Sequence, residues 1–210
     1  MRSLLSLYHN WKSFLLKALG AVVSPALYSG SLFVRLKVIA LVGGAQGIGL
    51  LSLVQAHQNV FTGLASLSAG NAYTRDIAKD NGEVSSSSPV RLCIFMGLSL
   101  AGLLSVCAGV LWILTNDEIH HSLLLVCAIF LGVFSSANLN QVTYALRGLS
   151  RISSIVRISA LNLLLSSLFL LILFFSGLTD VWIFFLAIPL ATLITLILVP
   201  DVRSLYPRKI

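Results

Sequence analysis

Residues 160–199 read ALNLLLSSLFLLILFFSGLTDVWIFFLAIPLATLITLILV, and this stretch decides the fold class. It holds two apolar blocks, each close to the ~20 residues that a helix needs to cross a bilayer. The very short turn between them predicts an antiparallel pair of membrane-spanning helices. Four similar blocks precede this pair, so the sequence predicts six spans, at about 14–41, 48–69, 92–114, 122–144, 160–178 and 181–199.

The composition agrees with a membrane protein. Hydrophobic residues make up 57% of the chain and charged residues 10%, and the mean hydropathy is +0.96. A soluble domain carries about 25% charged residues. The net charge is +7, but the surplus cations lie beside the ends of the apolar blocks, where they set topology and contact anionic lipid head groups. We therefore expect membrane lipid as a partner and no nucleic acid.

The charged residues between the blocks predict an orientation. The gaps after blocks three and five hold only acids, whereas the gaps after blocks two and four and both chain ends hold the basic residues. Short loops rich in Lys and Arg stay in the cytoplasm, so both termini are expected inside. The basic residues of this pattern include Arg75, Lys79, Arg91, Arg147, Arg151, Arg157, Arg203, Arg208 and Lys209.

The first block is longer than a bilayer requires and has distinct parts. Residues 1–13 mix Leu, Tyr and Trp with cations, which predicts a short interfacial lead-in. Pro25 lies near the middle of the block and should kink it, because proline removes a backbone donor. The glycines between residues 43 and 49 predict a tight, flexible outer turn before block two.

Three further segments lie outside the six-helix region or between its spans. Residues 70–90 are polar and rich in Ser, and their composition favours a mobile loop. Residues 147–159 place three arginines among Ile and Ser, which fits either an amphipathic connector or the early turn of helix five. Residues 200–210 are expected to form a cytoplasmic tail.

Catalytic chemistry is not expected of this chain. No Asp or Glu lies within any predicted span. The adjacent His120 and His121 are in a loop, and adjacent residues do not share a helix face. Cys93, Cys107 and Cys127 lie in apolar blocks without a metal-ligand spacing. We therefore expect no enzyme, no cofactor and no metal site.

Three cations within the first block are the strongest functional candidates. A cation at the centre of a membrane helix costs about 2.5–3.5 kcal/mol or more, so such residues normally face a cavity or a partner. Arg35 and Lys37 lie toward the outer end, where topology gives no reason for positive charge. Guanidinium suits bidentate phosphate recognition, so Arg35 is expected in a cavity. Lys17 lies near the inner end, where snorkelling to the head groups explains it equally well.

Block two carries a second polar face. Gln55, Asn59 and Thr62 follow i, i+4 and i+7 spacing and share one stripe, with His57 beside it. Such residues either bond helices together or line a lumen that offers donors and acceptors to sugars. For His57 alone, packing is the favoured interpretation. At the inner end of block four, the residues that could face the same lumen are Asn138, Gln141 and Tyr144.

Residues 37–61, KVIALVGGAQGIGLLSLVQAHQNVF, resemble the helix-one exit and helix-two entry of the O-antigen (lipid-linked oligosaccharide) flippases. That family shows a cation, a short aliphatic run, a glycine-containing turn and an aliphatic stretch leading to Gln and Asn. Residues 64–79, with GNAYTR at 70–75, are similar to the family's small-residue helix end and basic cytoplasmic loop. The resemblance covers mainly residues 15–80.

The resemblance implies one lobe of a multidrug/oligosaccharidyl-lipid/polysaccharide exporter. Such transporters pack two six-helix lobes around a central cavity, and the flippase branch moves undecaprenyl-pyrophosphate-linked glycans across the bacterial inner membrane. It implies that Arg35 and Lys37, with Lys17, contact the anionic head group. Family members usually have twelve or more spans, so a second six-helix lobe is expected as a partner for a half-length or truncated chain.

Two other functions stay open from the sequence. A drug/cation antiporter lobe of the same superfamily would be expected to carry acids within its spans, which this chain lacks. A membrane scaffold for glycan assembly would use the polar stripe for packing alone.

Overall fold

The computed structural model of the protein describes residues 2–66, 70–79, 89–115, 123–203 and 205. Within these ranges it describes side chains from residue 29 onward, except those of residues 66, 73, 89–93, 96 and 203. Every regular element within these ranges is an α-helix. The helices are α1 (Arg2–Ser66), α2 (Gly70–Lys79), α3 (Pro89–Thr115), α4 (Leu123–Gly148), α5 (Ile152–Phe175), α6 (Val181–Leu198) and α7 (Pro200–Arg203).

Five segments of the described chain are long and apolar enough to cross a membrane: Ser29–Ala65, Gly97–Thr115, Leu123–Gly148, Ile152–Phe175 and Val181–Leu198. This supports the predicted class, an all-α membrane protein that crosses the bilayer several times. The first segment covers most of the range in which the sequence predicts two separate spans. Six spans with both termini inside therefore stay a prediction.

Gly44 divides α1 into two arms, residues 2–43 and 45–66. Its φ of 59° and ψ of −153° are the only non-helical values inside α1, and this region is essentially restricted to glycine. A Cβ atom on Gly47 would lie 3.3 Å from the carbonyl oxygen of Ile39. Residues eight apart in a straight helix are separated by about 12 Å along its axis. The chain therefore folds back at Gly44.

The reversal at Gly44 is shorter than the turn that the sequence predicts. The glycine-rich segment 43–49 was expected to be a flexible connection, but the residues on both sides of Gly44 are helical. One glycine with positive φ is sufficient, because the change of direction needs only one residue outside the helical region. Pro25 lies within the first arm, and residues 2–13 belong to the same helix; their expected position at the membrane interface stays a prediction.

The second reversal joins α5 to α6, and hydrogen bonds cap the end of α5 and the start of α6. The backbone N–H of Ser176 donates to Ile172 O at 2.9 Å, and Gly177 follows with a φ of 75°, as is common at the end of a helix. Asp180 caps α6 by accepting from the backbone N–H of Trp182 at 3.0 Å. The Gly44 reversal and this turn lie together, since a Cβ on Gly43 would be 2.9 Å from Val181. We call this part of the bundle the hairpin end.

Helix α4 lies at the centre of the bundle and packs against α1, α2, α3 and α6. The core near the hairpin end joins both arms of α1 to α3–α6, and its fully buried residues include Ile39, Ile129 and Phe184. Ala65, Ala101 and Ala137 form a small cluster where the second arm, α3 and α4 approach each other. Small residues let membrane helices approach closely without a hydrophobic driving force.

The outer faces of the helices are apolar. In α3 the exposed residues include Leu103, Val110 and Leu114, and in α5 they include Leu164 and Phe175, which is 80% exposed. Apolar side chains at these spacings share one helix face. A soluble monomer rarely exposes so large an apolar surface, which agrees with contact to lipid.

Helix α2 overturns part of the expectation for residues 70–90. Instead of a mobile loop, residues 70–79 form a helix docked on the C-terminal end of α4. Ile77 is 1% exposed in a cluster with Leu146 and Ile158. Thr74 Oγ1 also approaches the carbonyl oxygen of Tyr144 at 3.3 Å. Composition alone could not predict this docking, because it depends on the contacts of individual residues such as Ile77 with other helices.

The other boundaries shift by a few residues. Of the two alternatives for residues 147–159, the structure shows the early turns of helix five, beginning at Ile152. Part of the predicted tail, Pro200–Arg203, is helical, and Val202 and Leu205 are buried in the same cluster as Ile77. Residues 89 and 90 begin α3, and residues 80–88, 204 and 206–210 lie outside the described residues.

Replacing Gly44 by Ala should destabilise the protein, because a Cβ is unfavourable at its φ and ψ although no atom lies within 4 Å. A strained backbone of this kind costs about 1–3 kcal/mol, which lowers the midpoint of thermal unfolding by roughly 2–10 °C at this chain length. The measurement is thermal unfolding of the detergent-purified chain. Gly49→Ala is the matched control, since Gly49 is helical with equally open surroundings, and it should leave the midpoint unchanged or raise it.

Replacing Gly148 by Ala should displace α2 from α4. The new Cβ would lie 2.6 Å from Ile77 Cβ and 3.0 Å from the carbonyl oxygen of Thr74, and neither atom can move without the α2 backbone. Overpacking costs about 1–3 kcal/mol, so trypsin should cleave after Arg75 or Lys79 roughly tenfold faster. Gly109→Ala is the control, because its Cβ would meet Val126 at 3.5 Å, an ordinary contact distance. Trypsin should cleave this variant at the wild-type rate. Equal rates for the two variants would contradict the docking.

Candidate functional site

Arg35 lies in the first arm, within the candidate membrane span Ser29–Ala65. It precedes the reversal at Gly44 by nine residues, about 13 Å along the helix, which is less than half the thickness of a hydrocarbon core of about 30 Å. Its Nη2 donates to Ser166 Oγ at 2.6 Å. Ser166 is fully buried and directs its own proton to the carbonyl oxygen of Leu163 at 3.1 Å. A lone pair of the hydroxyl oxygen is therefore available to the guanidinium.

Arg35 belongs to a polar contact line between the first arm and α5. One turn earlier, Ser31 is buried, and its Oγ lies 3.5 Å from that of Ser167. We call these four residues, Ser31, Arg35, Ser166 and Ser167, the Arg35 seam. The charge-assisted bond to Ser166 offsets part of the cost of placing a cation in the membrane.

Lys37 does not join the Arg35 seam. It is exposed, and residues two apart in a helix point in nearly opposite directions. Its neighbours one turn away on the same face are Phe33 and Leu41, which are 68% and 61% exposed. The structure thus separates the two predicted cations. The side chain of Lys17 lies outside the described residues.

The five candidate spans carry positive charge and no negative charge. All seven acidic residues of the sequence lie outside these segments. The spans contain Arg35 and Lys37 in α1, Arg147 in α4 and Arg157 in α5. The described residues also contain no group of three or more His, Cys, Asp or Glu side chains that could hold a metal; His120 and His121 lie outside them.

The predicted polar stripe of the second arm has three different environments. Gln55 lines a cavity, Asn59 is exposed, and Thr62 is buried with no hydrogen-bond partner among the described residues. His57 bonds across to α3, with its Nε2 3.0 Å from the carbonyl oxygen of Ala108. Its ring meets that of Trp112 edge-on at 5.3 Å. His57 therefore has a packing environment, as expected of it alone.

A small polar cavity of about 50 Å³ lies between the second arm, α4 and α6. A water molecule needs roughly 10–15 Å³ by this measure, so the cavity has room for a few waters and none for a sugar ring. No residue of the first arm lines it, so it is separate from the Arg35 seam. Its polar lining residues are Gln55, Gln58, Ser135, Ser136 and Thr192.

Gln58 has a larger structural role than its position beside the stripe indicates. Its Nε2 donates to the carbonyl oxygen of Ala128 at 3.1 Å, and its amide occupies the space that a side chain on Gly132 would fill. The sequence signal would have been the pairing of this glutamine with a glycine in another helix. That pairing is a tertiary contact, so one sequence alone does not reveal it.

The three residues predicted at the inner end of α4 serve helix packing. Asn138 Nδ2 donates to the carbonyl oxygen of Phe134 in its own helix at 2.7 Å. The Gln141 side chain lies against Gly97 of α3, and the Tyr144 ring lies against Gly70 of α2. None of the three lines the cavity that contains Gln55.

Comparison with models of known protein families, with curated proteins and with solved structures finds no match for this chain.

Replacing Gly132 by Ala should expel the Gln58 amide from its position on α4. Because the amide is the flexible end of its side chain, the cost is mainly the lost bond to Ala128, about 0.5–2 kcal/mol in a membrane protein. Thermal unfolding of the Gly132→Ala, Gln58→Ala and double variants would give a double-mutant cycle. The double variant should be no less stable than Gln58→Ala, and strictly additive losses would contradict the contact.

Proposed function

We propose that this chain is one lobe of an exporter-type transporter that moves a lipid-linked anionic oligosaccharide across the bacterial inner membrane. In this proposal the lobe has six spans with both termini in the cytoplasm, the two arms of α1 being the first two. The observation that carries the proposal is Arg35, a guanidinium within a candidate membrane span that donates to the buried Ser166 of α5. The sequence resemblance to O-antigen flippases supports the same cargo, an undecaprenyl-pyrophosphate-linked glycan.

The charge of the spans favours an anionic cargo. Segments with cations and no carboxylates attract a pyrophosphate and repel a cationic drug. An antiporter coupled to protons would also need a titratable acid within the spans. For these reasons we place the cation-antiporter alternative behind the flippase.

The pathway is proposed to lie beside this lobe and not inside it. The internal cavity of about 50 Å³ is too small for a glycan, and Lys37 is on an outward face of the first arm. A second six-helix lobe facing that arm would enclose Lys37 and the partly exposed Arg35. Because the two cations lie on opposite faces of the first arm, Lys37 would contact the head group from the outward face and Arg35 through the exposed part of its side chain, with Lys17 a third contact nearer the cytoplasm.

A membrane scaffold for glycan assembly is the second candidate, because one observation favours it. Several polar side chains bond one helix to another: Arg35 to α5, His57 to α3 and Gln58 to α4. Bonds of this kind hold membrane helices in register without any substrate.

Binding of undecaprenyl pyrophosphate to the purified full chain would test the flippase proposal, with neutral undecaprenol as the reference lipid. Arg35→Ala should weaken binding of the pyrophosphate lipid about 10–100-fold, since a hydrogen bond to a charged group is worth about 1.5–3 kcal/mol. Arg35→Lys should retain part of the affinity, because it keeps the charge and loses the bidentate geometry. Lys37→Ala should have a smaller effect.

Arg157→Ala is the charge-matched control, since Arg157 is an exposed cation in the first turns of α5. It should bind the pyrophosphate lipid as the wild type does. Equal affinity of the wild type for the charged and neutral lipids would contradict the proposed cargo. Unchanged binding by Arg35→Ala would remove Arg35 from the site and favour the scaffold.

A further inference from the structure

Two serines of the Arg35 seam use their hydroxyl groups differently from three other buried serines. Ser105, Ser135 and Ser166 each donate to the carbonyl oxygen three residues earlier in their own helix, at 2.8, 3.3 and 3.1 Å. The oxygens of Ser31 and Ser167 instead lie 3.5 Å apart, across the interface between the first arm and α5. An ordinary hydroxyl hydrogen bond is about 2.5–3.0 Å long. The contact between the two serines is therefore weak, and either hydroxyl can turn to a better acceptor.

One hydroxyl proton of the seam has no acceptor in the part of the chain that the structure describes. Ser167 Oγ donates to Ser31 Oγ, so the proton of Ser31 is not used in this contact. Ser31 is 6% exposed, and a buried hydroxyl group that lacks a partner costs free energy. A ligand with acceptor oxygens would complete the hydrogen bonding of the seam.

The unused proton lies beside the positive charge of Arg35. Ser31 and Arg35 are four residues apart in the first arm, so their side chains share one helix face. A guanidinium has five donors in a planar fork, which lets it bond Ser166 and further acceptors at the same time. The candidate spans contain no carboxylate. A positive charge with hydroxyl donors beside it favours an anionic ligand.

The seam borders the lipid-facing surface of α5. Ser167 is half-buried. Leu164 and Leu171 lie three residues before it and four residues after it, on the same helix face, and they are 65% and 38% exposed. Apolar side chains at this edge suit the hydrocarbon chain of a lipid. An anion that reaches the seam from this side is therefore the head group of a membrane lipid.

We propose that the Arg35 seam binds a phosphate group of a membrane lipid, with Ser31 and Ser167 donating to phosphate oxygens beside Arg35. The inference rests on the proposed function, in which Arg35 contacts the same head group, and it adds two hydroxyl donors and helix α5 to the binding site. The free oxygens of a phosphate are strong acceptors, so one phosphate group accepts from the guanidinium and from both hydroxyls. The bound lipid would join the first arm to α5 more firmly than the weak contact between the serines does.

The test is binding of undecaprenyl pyrophosphate to variants of the purified full chain. Ser31→Ala and Ser167→Ala should each weaken binding roughly tenfold, because each removes a hydrogen bond to a charged group. Ser105→Ala is the matched control, since Ser105 is a fully buried serine of α3 that donates to its own helix. It should bind the lipid as the wild type does. Wild-type affinity in both Ser31→Ala and Ser167→Ala would overturn the inference.

Inorganic pyrophosphate distinguishes a lipid head group from a soluble anion. It carries the same phosphate chemistry but has no hydrocarbon chain to lie on α5. At the concentration that saturates the protein with the lipid, it should not displace bound undecaprenyl pyrophosphate. Displacement at that concentration would overturn the lipid as the source of the phosphate.

Thermal unfolding separates a binding role of Ser31 from a packing role. Without lipid, Ser31→Ala should unfold close to the wild-type midpoint, because it loses only the weak contact with Ser167. Saturating undecaprenyl pyrophosphate raises the midpoint by mass action, and this rise should be smaller in Ser31→Ala. A midpoint that falls by about 3 °C or more without lipid, together with an unchanged rise, would show a packing role and overturn the inference. If Ser31→Ala does not fold, the half-buried Ser167→Ala serves in its place.

The same binding measurements separate this inference from the proposed function. Loss of binding in Arg35→Ala with full binding in both serine variants would overturn the hydroxyl contacts and leave the proposed function standing. Equal affinity of the wild type for undecaprenyl pyrophosphate and neutral undecaprenol would overturn both.

Discussion

Hydrocarbon offers no hydrogen bonds, so each polar group in a span needs a partner within the protein or a ligand that replaces one. Most hydroxyl groups of the described helices meet this constraint locally. Thr143 and Thr195 each donate to the carbonyl oxygen four residues earlier, so placing these hydroxyl groups in hydrocarbon costs little free energy. Other side chains bond between helices and help to determine which helices lie together. They include Arg35 with α5, His57 with α3 and Gln58 with α4.

These bonds depend on the fold at Gly44, which sends the two arms to different neighbours. The first arm lies on α5 through the Arg35 seam, and the second lies on α3 and α4 through His57 and Gln58. A straight helix of this length would carry one set of contacts far beyond the bilayer, since it would extend about 97 Å over its 65 residues. The backbone freedom of one glycine thus makes both sets of interhelical bonds possible.

The sequence predicted the elements better than their contacts. The all-helical membrane class and the position of the α5–α6 turn follow from hydropathy and from the Gly and Asp residues of the turn. The helical state of residues 70–79 does not, because its docking depends on Ile77 meeting a cluster built from α4, α5 and the chain after α6. Hydropathy averages over a window, and one buried side chain barely changes the average.

In the candidate site, too, the sequence predicted the residues better than their contacts. Its two leading cations, Arg35 and Lys37, were expected to act together, although their spacing of two places them on opposite helix faces. The spacing of Gln55, Asn59 and Thr62 predicted one stripe on one helix face. In the structure that face meets different surroundings along its length, so Gln55 lines a cavity, Asn59 is exposed and Thr62 is buried. Helical periodicity predicts which residues share a face. The bundle then decides what that face meets.

The Arg35 seam and the neutral cavity lie at different helix interfaces. Arg35 lies between the first arm and α5, whereas the cavity lies between the second arm, α4 and α6. The guanidinium of Arg35 therefore adds no charge to the lining of the cavity, whose polar residues are all neutral. The reversal at Gly44 provides those interfaces within one continuous stretch of helix. The first arm is linked to α5 by the hydrogen bonds of the seam, and the second arm meets α4 and α6 around the cavity.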